Sequence, residues 1–171
     1  MPRMMILLPL LVLLGVVQFI FSQSGQEHGL CDRWRAMIDP HVKSNEREPD
    51  VENVTEREAM EGIACLLTYQ GNQRAGKFSG ATRFDISQTF PDATIELDAL
   101  YTISAIYYGK WKHARGIALV DQSPKILKPK AGAKRAFPYV QGWFQRLKAK
   151  GLERLRSEHD DPLNGSGLRW Y

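Results

Sequence analysis

The fold this sequence predicts is all-α: antiparallel, repeat-like helical hairpins, a long irregular loop and a C-terminal amphipathic helix. Three observations predict it. Apolar residues recur at helical spacing in three stretches. Gly71 and Gly109 stand where two of those stretches should stop. Residues 72–91 form a Gly/Ser/Thr-rich insert without that period, which reads as loop.

Residues 1–24 obey different physics from the rest. Arg3 is the only charge before an apolar run over residues 4–21, interrupted only by Gln18, and SQSG at 22–25 supplies small residues. Basic start, apolar middle and small-residue box are the order of a secretory signal. The run is also long enough to span a bilayer, so a retained anchor is the alternative. Either way the remainder is exported, to the periplasm or as a secreted chain, because Arg3 holds the amino end inside and no further Lys or Arg occurs until Arg33.

The remainder is one domain's worth of chain. Residues 25–52 read as a polar N-terminal segment, 53–160 as a single helical domain and 161–171 as a turn-rich tail. The two cysteines, Cys31 and Cys65, lie in the exported part, and an even count in an oxidising compartment predicts one disulfide. Two unrelated thiols are the competing reading. His28, His41 and Cys31 lack the second close pair that would complete a tetrahedral set, so no metal and no cofactor is expected.

In VENVTEREAMEGIACLLTYQG, Asn53 or Thr55 can cap a helix with acids in its first turn, and Ala59, Met60, Ile63, Ala64, Leu66 and Leu67 form its apolar face. The following insert is long for a compact domain, and such loops are often functional. It is the first candidate binding surface, with Phe78, Arg83 and Phe84 as its residues, although loop aromatics more often anchor to the core. Thr89, Pro91 and Asp92 then resemble a capping box, predicting a helix from about Asp92 to Tyr108. Leu97, Leu100, Ile103, Ser104 and Tyr107 share its stripe, widened by Tyr101, Ala105 and Tyr108. Beyond Gly109, Trp111, Ala114, Ile117, Ala118 and Val120 repeat the period, so a second helix should fold back on the first.

In YYGKWKHARGIAL, Gly109, Trp111 and Ala114 stand in the GxWxxA relation, and Tyr101 and Ala105 precede it suitably; residues 97–121 thus resemble a tetratricopeptide-like helical hairpin. Ala118 stands where that family has a large aromatic, and the single echo, at Gly71, is displaced from the family's period. The resemblance implies antiparallel, repeat-like helical hairpins. Residues 121–133, with two prolines, read as a non-helical basic connector. The last helix should begin near Ala136 or Pro138, with Phe137, Val140, Trp143, Phe144, Leu147, Leu152 and Leu155 on its apolar side. Trp170 and Tyr171 suggest that the tail docks on the core or on a partner.

Charge is divided unevenly. Residues 25–109 carry 8 Lys+Arg against 14 Asp+Glu, whereas residues 110–156 carry 13 against 2. Such asymmetry points to a polyanionic partner or to two halves that face each other. Export argues against nucleic acid, leaving an anionic membrane or envelope polymer, then an acidic protein.

Signs of catalysis are sparse. HExxH, GxGxxG and GxxxxGK[ST] are absent, which removes the commonest zinc-protease, dinucleotide and nucleotide signatures. Ser104, His113 and Asp121 can be written as a triad and Glu58 with Glu61 as a carboxylate pair, but no nucleophile turn surrounds Ser104. The expectation is an exported, non-catalytic module that binds another protein or peptide. A membrane-surface protein using its basic C-terminal helix and a small exported hydrolase are the alternatives. The candidate binding residues are Phe78, Arg83, Phe84, Tyr101, Tyr108, Trp111, His113 and Trp143.

Overall fold

A computed structural model describes residues 29–45, 47–78, 92–123 and 125–171. The signal or anchor segment and the loop candidates Arg83 and Phe84 lie outside the described residues. The described residues are mainly helical, with one two-stranded ribbon among them. In order come α1 (29–38), α2 (Glu56–Leu67), α3 (Ile95–Tyr108), β1 (Leu119–Val120), α4 (Pro129–Lys150), α5 (Leu152–Ser157) and β2 (Arg169–Trp170).

The polar segment 25–52 holds a helix that the sequence reading did not assign. α1 buries Leu30, Trp34, Met37 and Ile38, at i, i+4, i+7 and i+8, an amphipathic spacing diluted by charged neighbours. Cys31 of α1 is bonded to Cys65 of α2, with Cα atoms 5.6 Å apart. The predicted disulfide therefore forms, and Cys31 is not available as a metal ligand. α2 starts where its cap predicts. The Thr55 hydroxyl accepts from Glu58 N, and the Glu58 carboxylate accepts from Thr55 N at 3.0 Å. Those bonds to the charged form hold the Glu58 carboxyl below its ordinary range.

Trp34 lies against α2 at Gly62. A Cβ there would fall 2.6 Å from Cε2 and 2.9 Å from Cδ1 of the indole, which is itself fully buried. Gly62→Ala should therefore destabilise the protein by about 2 kcal/mol, overpacking exceeding the gain in helix propensity. The same change at exposed Gly142 in α4, where the nearest atom is 3.9 Å away, should stabilise by up to about 1 kcal/mol. Urea denaturation of the two variants checks this opposition of sign; equal shifts would refute it.

α3 is the centre of the domain and is buried from Ile95 to Tyr107. It contacts α2, α4 and α5, so its burial exceeds the one-sided stripe that its apolar residues suggested. Its start is Ile95 rather than Asp92, because the preceding residues pair elsewhere. Ala75 bridges Thr94, Gly76 N donates to Ala93 O, and Ile95 N donates to Arg74 O. Thr94 caps the helix, its hydroxyl accepting from Leu97 N. Gly109 ends it as predicted, left-handed at φ 63°, with Lys110 N reaching back to Ala105 O. Arg156 of α5 completes this end: its Nε and Nη2 donate to the carbonyls of Tyr107 and Ile106, at 2.7 and 2.9 Å.

Beyond Gly109 the expected second helix does not form, and the tetratricopeptide-like hairpin is corrected accordingly. Residues 110–118 run as bends into β1. Their backbone is committed to distant partners. Arg115 N and Gly116 N both donate to Tyr171 O, Tyr171 N donates to Ala118 O, and Leu119 pairs with Trp170. Long-range pairing thus overrides a local helical period.

α4 corrects a second expectation, since it starts inside the supposed connector. Pro129 sits at the first turn, where its missing N–H costs nothing, and so opens the helix instead of forbidding it. Gly132 and Ala133 are buried, letting the first turns lie against Leu119 of β1. Phe137, Val140, Trp143 and Leu147 are buried as the spacing required. Gly151, at φ 83°, breaks the run into α4 and α5, and Leu152 and Leu155 continue the buried side. Among the described residues no helix is long and apolar enough to cross a membrane.

Candidate binding pocket

The turn at Gly109 sends residues 110–118 back beside α3, and a hydrogen bond from the Tyr101 hydroxyl to Trp111 O, 2.7 Å, pins them there. His113 is consequently inserted between two rings of α3. Its imidazole lies 4.3 Å from the Tyr101 centroid, tilted 32°, and is stacked on Tyr108 at 5.2 Å and 20°. The β1–β2 ribbon carries Trp170 into the same cluster, edge-on to Tyr101 at 5.1 Å and to His113 at 6.2 Å. Its Nε1 donates to Ser104 Oγ, 2.9 Å away. Such edge-to-face and offset contacts are the favoured geometry of aromatic clusters.

Above this cluster opens a pocket of about 590 Å³. Ser104, Tyr108 and His113 line it from one side, and Arg169, Trp170 and Tyr171 from the ribbon; Arg115 and Asp161 complete the rim. Its volume lies in the range of sites for drug-sized ligands. Tyr108 is 44% exposed, offering an accessible ring. Arg169 is exposed and forms no ion pair or side-chain hydrogen bond among the described residues.

Burial sets the protonation of the cluster. It pushes the phenols of Tyr101 and Tyr108 up to about 12 and the His113 imidazole down to about 4, the latter against an opposing hydrogen bond to Lys110 O. His113 is therefore neutral at pH 7. Its Nδ1 faces the Lys110 carbonyl at 3.4 Å, which places the proton on Nδ1. Nε2 is then an acceptor, buried and without a hydrogen-bond partner among the described residues. Since both ring faces are covered by tyrosines, only an edge of the imidazole can meet the pocket.

The Ser104, His113 and Asp121 set does not assemble. Ser104 and His113 share the pocket wall. Ser104 is only 1% exposed, and its oxygen is occupied by Trp170. Asp121 lies outside the pocket and closes a turn, its Oδ1 accepting from Ser123 N, Ser123 Oγ and Lys125 N. The Glu58 carboxylate is spent on the cap of α2.

Of the candidate binding residues, Tyr108 and His113 reach the pocket. Tyr101, Phe78 and Trp143 are fully buried. Tyr101 backs His113, and Phe78 stands edge-on to Tyr101 and Trp111 at 6.3 Å, so this loop aromatic anchors to the core. Trp111 is partly buried against the core. Trp143 packs edge-on to Tyr107 and donates to Asp160 O. Arg115, Asp161 and Arg169 escaped the sequence reading, whereas Trp170 was expected to dock on the core or on a partner. No protein-family model, curated protein or solved structure matches this chain.

Proposed function

We propose that this protein is an exported, non-catalytic binding module whose pocket between α3 and the β1–β2 ribbon receives a short segment of another protein. The observation that carries the reading is the pocket itself, lined by exposed Tyr108 and by Arg169, which is unpaired among the described residues, over a floor of packed rings. Aromatic and arginine side chains at the mouth of a preformed cavity are the residue types that dominate binding energy in protein interfaces. Two of the polar groups that catalysis would call on, Ser104 and Asp121, are otherwise engaged. The disulfide is compatible with an oxidising, exported location.

Selection of displayed random peptides on the full chain, followed by calorimetry of the winners, tests the reading. Tyr108→Ala and Arg169→Ala should each weaken binding about tenfold or more, the size of an interface hot spot. Arg169 is an exposed side chain, so its variant keeps the fold. The reading is lost if the winners bind both variants as tightly as the parent, or if the protein turns over a hydrolase substrate in a manner abolished by His113→Ala.

A further inference from the structure

The basic surplus of residues 110–156 is not spread evenly once the chain is folded. Toward the end of that stretch the cations are used internally. Arg146 pairs with Asp160, Lys150 and Arg154 with Glu158, and Arg156 with Glu153. Around the start of α4 they are not. Lys125, Lys128, Lys130, Lys134 and Arg135 are all exposed, and among the described residues none forms an ion pair or a side-chain hydrogen bond.

Folding gains nothing from this placement. Lys128 provides no side-chain cap, and the first turn of α4 has no acidic residue, so the cations crowd the positive end of the helix dipole. The acids beside them include Asp121, engaged by Ser123, Glu96, which is buried and accepts from Gly71 N, and Asp92, which lines a cleft with Ile126 and Lys128. Two large apolar side chains flank the same patch in solvent, Ile126 at 42% and Tyr139 at 44% exposure, the latter one turn beyond Arg135. Cations interspersed with an exposed aliphatic and a tyrosine suit a bilayer interface, where headgroup phosphates and the acyl boundary lie side by side.

We infer that Lys125, Ile126 and the first turns of α4 dock the folded domain on an anionic lipid bilayer. The cations meet headgroup phosphates, and Ile126 and Tyr139 enter the interface. This surface is separate from the pocket and does not depend on its occupant.

The test is cosedimentation of the full chain with phosphatidylcholine vesicles and with vesicles containing phosphatidylglycerol. The apolar run at residues 4–21 acts equally on both, so the readout is the anionic-to-neutral affinity ratio. Lys130→Gln with Lys134→Gln should lower that ratio roughly 30-fold, about fivefold for each cation removed near the surface. Lys150→Gln with Arg154→Gln removes the same charge from ion-paired cations and should change it less than about threefold. Added salt should erase the preference. Ile126→Ser with Tyr139→Ser should weaken vesicle binding while leaving binding to soluble polyphosphate unchanged. The inference falls if there is no anionic preference, or if both charge variants lose it equally. It also falls, in favour of a soluble polyanion, if polyphosphate binds as tightly as vesicles and the Ile126/Tyr139 variant binds vesicles normally.

Discussion

Replacing both half-cystines, Cys31→Ala with Cys65→Ala, should lower the unfolding free energy by about 4 kcal/mol. The bridge spans 34 residues, and closing a loop of that length removes much of the freedom of the unfolded chain. In the folded state it fastens α1 to α2. The non-covalent contacts of α1 include Trp34 against Gly62 and the bond from Lys77 N to Ile38 O, 2.9 Å. Those contacts keep α1 docked without the bridge, so the variant should remain helical and unfold cooperatively at lower urea. Thermal unfolding should fall by roughly 10 °C or more. A loss below about 1 kcal/mol would mean that the unbridged chain is already restricted between Cys31 and Cys65.

Acidification should cost on the order of 3 kcal/mol through His113 alone, spread over the window between its ordinary pKa of 6.5 and its folded value of about 4. The sign follows from proton counts. Within that window the unfolded chain binds a proton that the folded chain refuses, so stability falls as pH falls. The contribution is complete above 6.5 and gone once pH passes below about 4. Lys110 opposes protonation by its charge, Arg115, Arg169 and Asp161 stand on the pocket rim, and the adjacent phenols titrate far outside the window. Carboxylates held low by hydrogen bonds, Asp160 by Arg146 foremost and Glu58 by Thr55, lose their stabilisation at more acid pH. Glu96, raised by burial, acts with the opposite sign. These terms are common to the parent and to His113→Phe, which keeps a ring between Tyr101 and Tyr108 and removes the unpaired Nε2. The expected result is a flatter stability profile between pH 6.5 and 4 in the variant, with stability at pH 7 equal or higher. Parallel profiles would show that His113 takes up its proton at the same pH in the folded and the unfolded chain.

The parts of this fold that were legible in advance share a short physical range. Thr55 and Glu58 mark the start of α2 because the capping box closes over three residues. Gly109 marks the end of α3 because a left-handed residue is cheap only for glycine. The faces of α2 and α4 show as apolar periods. α1 carried such a period too, but its charged neighbours masked it. The start of α4 was misread because Pro129 suits a first turn and Pro138, expected near the start, is carried inside the helix.

The pocket was legible only in fragments. Tyr108 and His113 were visible as aromatics beside a helix end, whereas Arg169 and Trp170 belong to it through strand pairing across some fifty residues. By itself the sequence determined the cap of α2, the end of α3, the covalent tie of Cys31 to Cys65 and the uneven charge, all of which rest on residue type and near neighbours. The tertiary structure alone decided three further things. Residues 110–118 abandon a helical period, burial lowers the pKa of His113 to about 4, and the cations of α4 divide, among the described residues, into ion-paired and unpaired sets. Each depends on groups distant in the chain, whose free energies no local pattern records.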